Sequence, residues 1–216
     1  MTHSAQLIIL AVTKIGEKSL VLHTLSSLWG RRSFIASVSR SSGMALYLPL
    51  NILEAEITEN SKSDLWRLRG ASAVSPLAGI RSDVRKNAIC MFMSEVLYRT
   101  IKDGANEDGL FEWCKKSILT LDALESDFAN FHLMFLLEFC GVLGFSPSLS
   151  DLTPFAGEHL REISSLISLP YAEALILPLS GDSRSEMAEI LLQYLSHHTE
   201  SRIEVRSLRV LHELFR

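Results

Sequence analysis

The sequence predicts an α+β protein in which a small β-barrel is followed by an all-α helical domain. The first third of the 216-residue chain contains short runs rich in Val, Ile and Leu, separated by turn residues, which is typical of antiparallel strands. From about Ser82 the apolar residues recur with the 3.6-residue period of helices. A composition of 47% hydrophobic and 21% charged residues is that of an ordinary folded protein, and leaves open one domain or two.

Five strands are predicted, at residues 7–12, 20–25, 33–38, 44–57 and 65–69. The segments between them are rich in Gly, Ser, Asn and Asp, as hairpin turns require. Pro49 interrupts the fourth run and indicates an edge position or a bulge, because proline cannot donate to a sheet. Five short strands within residues 1–78 favour a five-stranded OB-fold barrel.

The helical domain is expected over residues 79–216, with about five or six helices. Two predicted amphipathic helices come first. Residues 83–103 place Val84, Ala88, Met91 and Tyr98 near one stripe, and residues 107–124 do the same with Phe111, Ile118 and Leu121. Residues 128–143 are apolar almost all round, which indicates a buried central helix more than a membrane span.

The end of the chain predicts two further helices. Ser183 and Glu186 have the spacing of a capping box ahead of an amphipathic run, and the last helix is expected over residues 203–215. Residues 146–182 lie between these helices and the central one. Four prolines in this segment predict that it is the irregular part of the domain.

Missing motifs argue against several classes of enzyme. The chain contains no GxGxxG, GxxxxGK[ST], GxSxG or HExxH, and no acid/base pair stands out, so an enzyme is the weakest alternative. Cys90, Cys114 and Cys140 are widely spaced, which fits buried thiols in a reducing cytoplasm better than disulfides or a metal clasp. His197 and His198 are adjacent, and neighbouring helical side chains point about 100° apart, which disfavours a metal site. No basic n-region precedes the first apolar run, so no secretory signal is expected.

Charge is distributed unevenly along the chain. Residues 1–75 carry eight Lys and Arg against five Asp and Glu, whereas the remainder has a net charge of −7. A basic barrel suits a polyanion, although a difference of this size also occurs in enzymes.

The cations of the barrel are the candidate DNA-binding residues. In the run LWRLR, strand alternation places Arg67 and Arg69 on the opposite face from Trp66 and Leu68. The other candidates are expected in turns or at strand ends: Lys14, Arg31, Arg32, Arg40 and Lys62. Such an array can follow a phosphate backbone while exposed aromatic residues stack bases, with Trp29, Phe34, Tyr47 and Trp66 as candidates. The alternative is that these are solubilising charges and core aromatics.

A second basic feature occurs in the last predicted helix. Arg202, Arg206, Arg209 and Arg216 fall within about 80° of one another on a helical wheel, with Glu213 in the same sector. Internal ion pairing explains this pattern; the alternative is contact with an acidic peptide through Arg202, Arg206 and Arg209.

The sequence resembles the RecO family of bacterial DNA repair proteins, and in particular its Bacteroides-group members, over nearly the whole chain. The resemblance is carried in the barrel by GRRSFIASVSR and LYLPLNILEAEI. In the helical part it is carried by DVRKNAICMFMSEVLYRTI, FANFHLMFLLEFCGVLGFSPSL and SRSEMAEILLQYLSHHTESRIEVRSLRVLHELF.

The resemblance implies an OB-fold, a helical domain and no enzymatic turnover. It further implies binding of single- and double-stranded DNA, annealing of strands and, with RecR, loading of recombinase on strands coated by single-stranded DNA-binding protein. The acidic C-terminal tail of that coating protein is an implied partner. Arg31, Arg32 and Arg40 would contact the DNA backbone. A cytoplasmic, nucleoid-associated protein with no cofactor and no membrane partner is expected.

Two departures from the family pattern qualify these expectations. Many relatives have a basic KGxR-like stretch after the third strand, where this chain has SVSRSSG with only Arg40. A protein-interaction scaffold that joins RecR to the coating protein, with weak DNA binding, is therefore the alternative function. Many relatives also carry a four-cysteine zinc module after the central helix, but residues 146–182 contain no cysteine, so zinc is not expected.

Overall fold

A computed structural model describes residues 1–37 and 43–216, and the candidate Arg40 lies outside them. The chain divides into two compact units. One consists of residues 1–77 and 101–118, and the other of residues 78–100 and 119–216. The first contains a five-stranded barrel and the second is helical, which confirms the predicted fold class. Residues 101–118 belong to the barrel unit, whereas the sequence placed them in the helical domain.

The strands form a closed barrel in the order β1, β2, β3, β5, β4. They are β1 (Thr2–Ile15), β2 (Ser19–Ser26), β3 (Gly30–Ser37), β4 (Ile52–Thr58) and β5 (Trp66–Ala73). Only β3 and β5 are parallel, and the other neighbours are antiparallel. This arrangement is that of the OB-fold barrel.

Alternation along each strand directs one set of apolar side chains into the barrel. A register shift between Ile9 and Ala11 changes the inward set of β1, so that Ile9 and Val12 both face the core. The core consists of Ala5, Leu7, Ile9, Leu20, Leu22, Phe34, Ala36, Tyr47, Leu53, Ala55, Ile57 and Leu68.

The fourth predicted strand is wrong in its first half. Met44–Tyr47 forms a short 3-10 helix, and β4 begins only at Ile52. Asn51 holds the intervening turn, because its Nδ2 donates to the carbonyl oxygens of Ala45 and Leu46, each at 2.9 Å. Pro49 therefore lies in a turn between two elements, where no sheet hydrogen bond is required of it.

Residues 101–118 are fastened to the edge of β3 where this strand begins. The N–H of Arg31 donates to the carbonyl oxygen of Ala105, and the N–H of Gly104 donates to that of Arg31, both at 2.8 Å. Gly30 has a φ of +61°, and a Cβ there would lie 2.1 Å from the Ala105 oxygen. Only glycine accommodates both the backbone conformation and the close approach.

The helices are α1 (Ala78–Ser82), α2 (Val84–Thr100), α3 (Leu110–Ala123), α4 (Phe131–Val142), α5 (Leu149–Ala156), α6 (Leu160–Ser168), α7 (Tyr171–Leu175), α8 (Gly181–His198) and α9 (Ser207–Leu214). The predicted burial of the central helix is confirmed by α4, which has buried side chains all round. Phe111, Ile118 and Leu121 are buried, as expected. In the described part of the chain, no helix has both the length and the apolar character needed to cross a bilayer.

The segment 146–182 contains α5, α6 and α7 instead of irregular structure. Its prolines mostly separate helices: Pro147 precedes the α5 cap, Pro170 is the N-cap of α7, and Pro178 precedes α8. Ser148 and Asp151 form a capping box at the start of α5. Proline suits such positions because a helix start leaves its first N–H groups without partners.

Three further details of the helical prediction are wrong. Val84 and Met91 are 66% and 48% exposed, because α2 is buried through the faces that carry Phe92, Met93 and Val96. Ser180, not Ser183, caps α8 and accepts the Ser183 N–H at 3.0 Å. The last helix begins at Ser207 instead of Ile203, although its apolar residues Leu208, Leu211 and Phe215 are buried.

Buried polar groups are held by the ends of neighbouring helices. Lys86 is 4% exposed, and its ammonium donates to the carbonyl oxygens of Asp122 and Leu124 at the end of α3.

Cys90, Cys114 and Cys140 are buried and form no disulfide, as expected. Burial raises the pKa of the Cys90 and Cys140 thiols to about 12, so both are thiols rather than reactive thiolates.

Gly30→Ala should destabilise the protein much more than Gly16→Ala. Both glycines have a positive φ, which costs alanine on the order of 1–3 kcal/mol, but a Cβ on Gly16 would meet no atom within 4 Å. The steric conflict with Ala105 is therefore specific to Gly30. Urea unfolding of both variants measures the difference; equal losses of unfolding free energy would contradict it.

His132 should make the protein less stable in acid. Burial, and then the charge of Arg184, lower its pKa to about 3, against 6.5 in the unfolded chain. Between these values the native state binds fewer protons than the unfolded state, so the free energy of unfolding falls as pH falls, by up to about 1.4 kcal/mol per unit. His132→Gln should flatten this dependence in urea unfolding at pH 4 to 7, and the exposed His197→Gln is the control. Parallel curves for His132→Gln and the parent chain would refute it.

Candidate nucleic-acid interface

Arg67 and Arg69 lie side by side on the outer face of β5. Their exposed side chains alternate with Trp66 and Leu68, which face the barrel interior, so the predicted alternation is confirmed. Arg67 lies opposite Ile35 of β3 and Thr58 of β4, and Arg69 lies opposite Glu56 of β4. These pairings place both guanidinium groups on a surface formed by three adjacent strands.

A recess of about 490 Å³ opens beside the two arginines. The residues that line it come from β3, β4, β5 and the β4–β5 loop: Ile35, Thr58, Glu59, Asn60, Ser63, Leu65, Arg67 and Arg69. Ile35 and Leu65 provide its apolar surface, and the two arginines provide its positive charge. Among its described lining residues Glu59 is the one acid, and the Glu59 carboxylate lies 2.9 Å from Nε2 of His3.

The β4–β5 loop, residues 59–65, is held by its own polar groups. The Lys62 N–H donates to Oδ1 of Asn60 at 3.0 Å, and the Leu65 N–H donates to Oγ of Ser63 at 3.1 Å. The Glu59 N–H donates to the carbonyl oxygen of Met1 at 3.0 Å. Lys62 is exposed on this loop, next in sequence to the recess.

Arg32 anchors the other end of the loop. Its guanidinium carbon lies 3.5 Å from the centroid of the Trp66 ring, and Nη2 donates to the Asp64 carbonyl oxygen at 3.3 Å. Trp29 packs edge-on against Trp66 with ring centroids 5.3 Å apart. Arg32 therefore has partners that fix its position, and the structure places it inside β3, not in the predicted hairpin turn.

Arg31, which the sequence predicts to contact phosphate, is buried in the barrel unit. Its residue is 5% exposed, and Nη1 lies 3.6 Å from a carboxylate oxygen of Asp103. Burial and the charge of Arg31 together lower the pKa of nearby His23 below its ordinary value. Because residues 101–118 cover this side chain, we leave Arg31 out of the proposed DNA-contacting set.

The remaining candidates are not brought together. Strand β2 neighbours both Lys14 and Arg32. Lys14 lies opposite Leu20 near the start of β2, and Arg32 lies opposite Thr24, four residues further along it. The two cations are therefore displaced from each other along the barrel, towards opposite ends of β2. Of the aromatic candidates, Phe34 and Tyr47 are buried in the core and offer no exposed ring, whereas Trp29 and Trp66 are partly exposed. Among the predicted cations that the structure describes, Arg67 and Arg69 share the lining of the recess, and Lys62 lies on the loop that contributes to it.

Sequence reasoning missed the lining residues Ile35 and Leu65. The available signal was the position of Ile35, an apolar residue at an outward position between the inward-facing Phe34 and Ala36. Within residues 1–37 and 43–216, no group of three or more His, Cys, Asp or Glu side chains is arranged to bind a metal ion.

The helical unit contains a separate groove of about 610 Å³. It is lined by Phe155, Glu189, Leu192, Gln193, Ser196, His197, Ile203, Val205 and Leu208. Arg202, Arg206 and Arg209 are exposed and adjoin its lining residues in sequence. Arg202 lies 2.5 Å from a carboxylate oxygen of Glu204, and both Arg202 and Arg206 precede α9, so the predicted helical sector of arginines does not form.

Comparisons with known proteins agree in pointing to one family. A family model described as the C-terminal part of recombination protein O matches residues 81–153. The DNA repair protein RecO of Bacteroides fragilis is 32% identical, over 96% of this chain and 97% of the relative. The RecO proteins of Phocaeicola vulgatus and Flavobacterium psychrophilum are 31% and 29% identical, over 86% and 96% of this chain and 88% and 97% of their own lengths. The chain therefore belongs to the RecO family of DNA repair proteins.

Proposed function

We propose that the chain is a recombination mediator that binds DNA through the outer face of its barrel. It anneals complementary strands and, with RecR, helps to load recombinase on strands coated by single-stranded DNA-binding protein. Residues 1–78 supply the DNA-binding part, and the protein works at the nucleoid without enzymatic turnover. The observation that carries the proposal is the exposed pair Arg67 and Arg69 beside a recess on one sheet face.

Electrostatic attraction accounts for binding without sequence preference. Cations that neutralise phosphates release counterions from DNA, and phosphate contacts position a strand without reading its bases. Arg67 and Arg69 are two residues apart on a strand, or roughly 7 Å, so each can contact a different phosphate of one strand. Lys62 extends this set along the adjacent loop. Glu56 is exposed directly opposite Arg69 and Glu59 lines the recess, so both carboxylates reduce the positive charge of this face.

A second function, the interaction scaffold, is favoured by the groove of the helical unit. Its apolar lining includes Leu192, Ile203 and Val205, and exposed arginines adjoin it. This combination suits the acidic C-terminal tail of single-stranded DNA-binding protein, because the arginines attract its carboxylates while apolar side chains enter the groove. The small number of clustered cations on the barrel is consistent with weak DNA binding in such a scaffold.

Charge reversal of Arg67 and Arg69 should weaken DNA binding about tenfold or more for all sequences alike. Three contacts to a single strand give a slope of log K against log[salt] of about −2, and loss of two contacts should reduce its magnitude by about 1.4. Fluorescence anisotropy with a labelled oligonucleotide over a salt series measures both quantities.

The matched control is Lys116→Glu with Arg161→Glu, which makes the same change in net charge at exposed residues outside the interface. Equal losses of affinity in both double variants would show that net charge alone matters. An unchanged slope in Arg67→Glu/Arg69→Glu would move the DNA site elsewhere.

Charge reversal of Arg206 and Arg209 should weaken binding of the acidic tail peptide by about fivefold, since exposed ion pairs contribute on the order of 0.2–1 kcal/mol each. Calorimetric titration with a synthetic peptide of that tail measures this, with the Lys116 and Arg161 double variant again as control. Peptide binding in a chain that does not bind DNA would favour the scaffold. Unaltered peptide affinity in the Arg206 and Arg209 variant would exclude this groove.

A further inference from the structure

We propose that the recess beside Arg67 and Arg69 is a subsite for an unpaired base of single-stranded DNA. The inference rests on the proposed function, namely that this face of the barrel binds DNA. It adds a substrate preference: the site distinguishes a strand with accessible bases from a bare sugar–phosphate chain and from a duplex.

The shape and lining of the recess argue for a base. A phosphate contact needs only exposed cations, and Arg67 and Arg69 satisfy that need on an open strand surface. The recess adds about 490 Å³ of concave space, which lies within the roughly 300–1,000 Å³ of small-molecule sites. Its apolar part, Ile35 and Leu65, offers nothing to a phosphate, whereas the face of a base is apolar.

The sheet register sets the geometry of such a contact. Ile35 lies directly opposite Arg67 across the β3–β5 pair. A phosphate held by Arg67 thus has an aliphatic side chain beside it, where the base attached to the next sugar can pack. Glu59 lines the same recess, and its carboxylate repels phosphate, which confines the phosphate to the arginine side.

The polar rim is suited to the edge of a base. Asn60, whose Oδ1 accepts the Lys62 N–H, lines the recess together with Thr58 and Ser63, which supply an amide and two hydroxyl groups beside its apolar part. Arg32 holds the loop that forms this rim through the Asp64 carbonyl and the Trp66 ring. A base within a duplex has its faces covered by stacking and its edge occupied by pairing, so only an unpaired base can enter.

The test compares two oligonucleotides on the complete chain: oligothymidine, and a strand of equal length made entirely of abasic residues. Both carry the same phosphates, so only a base contact separates them. Oligothymidine should bind about fivefold more tightly or better, the gain expected when on the order of 40 Å² of apolar surface is removed from water. The salt slopes of the two strands should be the same, because the number of phosphate contacts does not change.

Two variants locate the contact. Ile35→Ser with Leu65→Ser, and separately Asn60→Ala on the exposed loop, should bring oligothymidine affinity towards that of the abasic strand without changing the salt slope. The comparison of the two strands on the parent chain needs no substitution, so equal affinities there overturn the subsite even where one variant fails to fold, and the other variant then locates any preference that is found.

Each outcome separates this inference from the proposed function. Equal affinities for both strands, with the salt slope still dependent on Arg67 and Arg69, would leave DNA binding intact and overturn the base subsite. A salt slope that changes in the recess variants would also overturn it, because it would show a phosphate contact. Absence of DNA binding would remove the proposed function itself and the subsite with it.

Discussion

Closure of the barrel by β5 is the constraint on which the candidate interface depends. This strand pairs in parallel with β3 and antiparallel with β4, and the two pairings together fix its register. A slip of one residue would turn Arg67 and Arg69 inward and expose Trp66 and Leu68. Burial of two unpaired guanidinium groups costs several kcal/mol each, so a single register is strongly preferred. The same constraint that completes the core therefore positions the cations outside it.

Patterns of short range were sufficient to predict much of the fold. The alternation in LWRLR assigned four side chains to their faces because a strand has only two faces. The run at residues 128–143 predicted the central helix because apolar side chains occur on all its faces, with Glu138 the one acidic residue along it. The prediction failed where different secondary-structure elements follow one another closely within a single apolar run. Residues 44–57 contain a 3-10 helix, a turn and a strand that are all rich in apolar residues, and Pro49 was the sign of the boundary that the sequence offered.

The candidate site was less predictable because its residues are selected by contacts distant in sequence. Arg31 and Arg32 are neighbours in the chain, and strand alternation sends them in opposite directions. What covers Arg31 comes from residues about 70 positions later, and what holds Arg32 is Trp66. No local pattern distinguishes a covered arginine from an exposed one. The recess is likewise formed by three strands and a loop, and only the barrel brings Ile35 next to Arg67.

The assignment of residues 101–118 to the barrel unit has a consequence for how the protein forms during translation. Strands β1 to β5 leave the ribosome first, but Asp103, Ala105 and Lys115, which bind Arg31 and Gln6, follow only after α2 has been made. Domains usually fold as contiguous units in the order of synthesis. Here neither unit is contiguous in sequence. The five strands are therefore synthesised before residues 101–118 of their own unit, and α1 and α2 are made in between. A proteolytic fragment that ends at residue 77 therefore keeps all five strands but lacks the segment 101–118 that hydrogen-bonds to the start of β3.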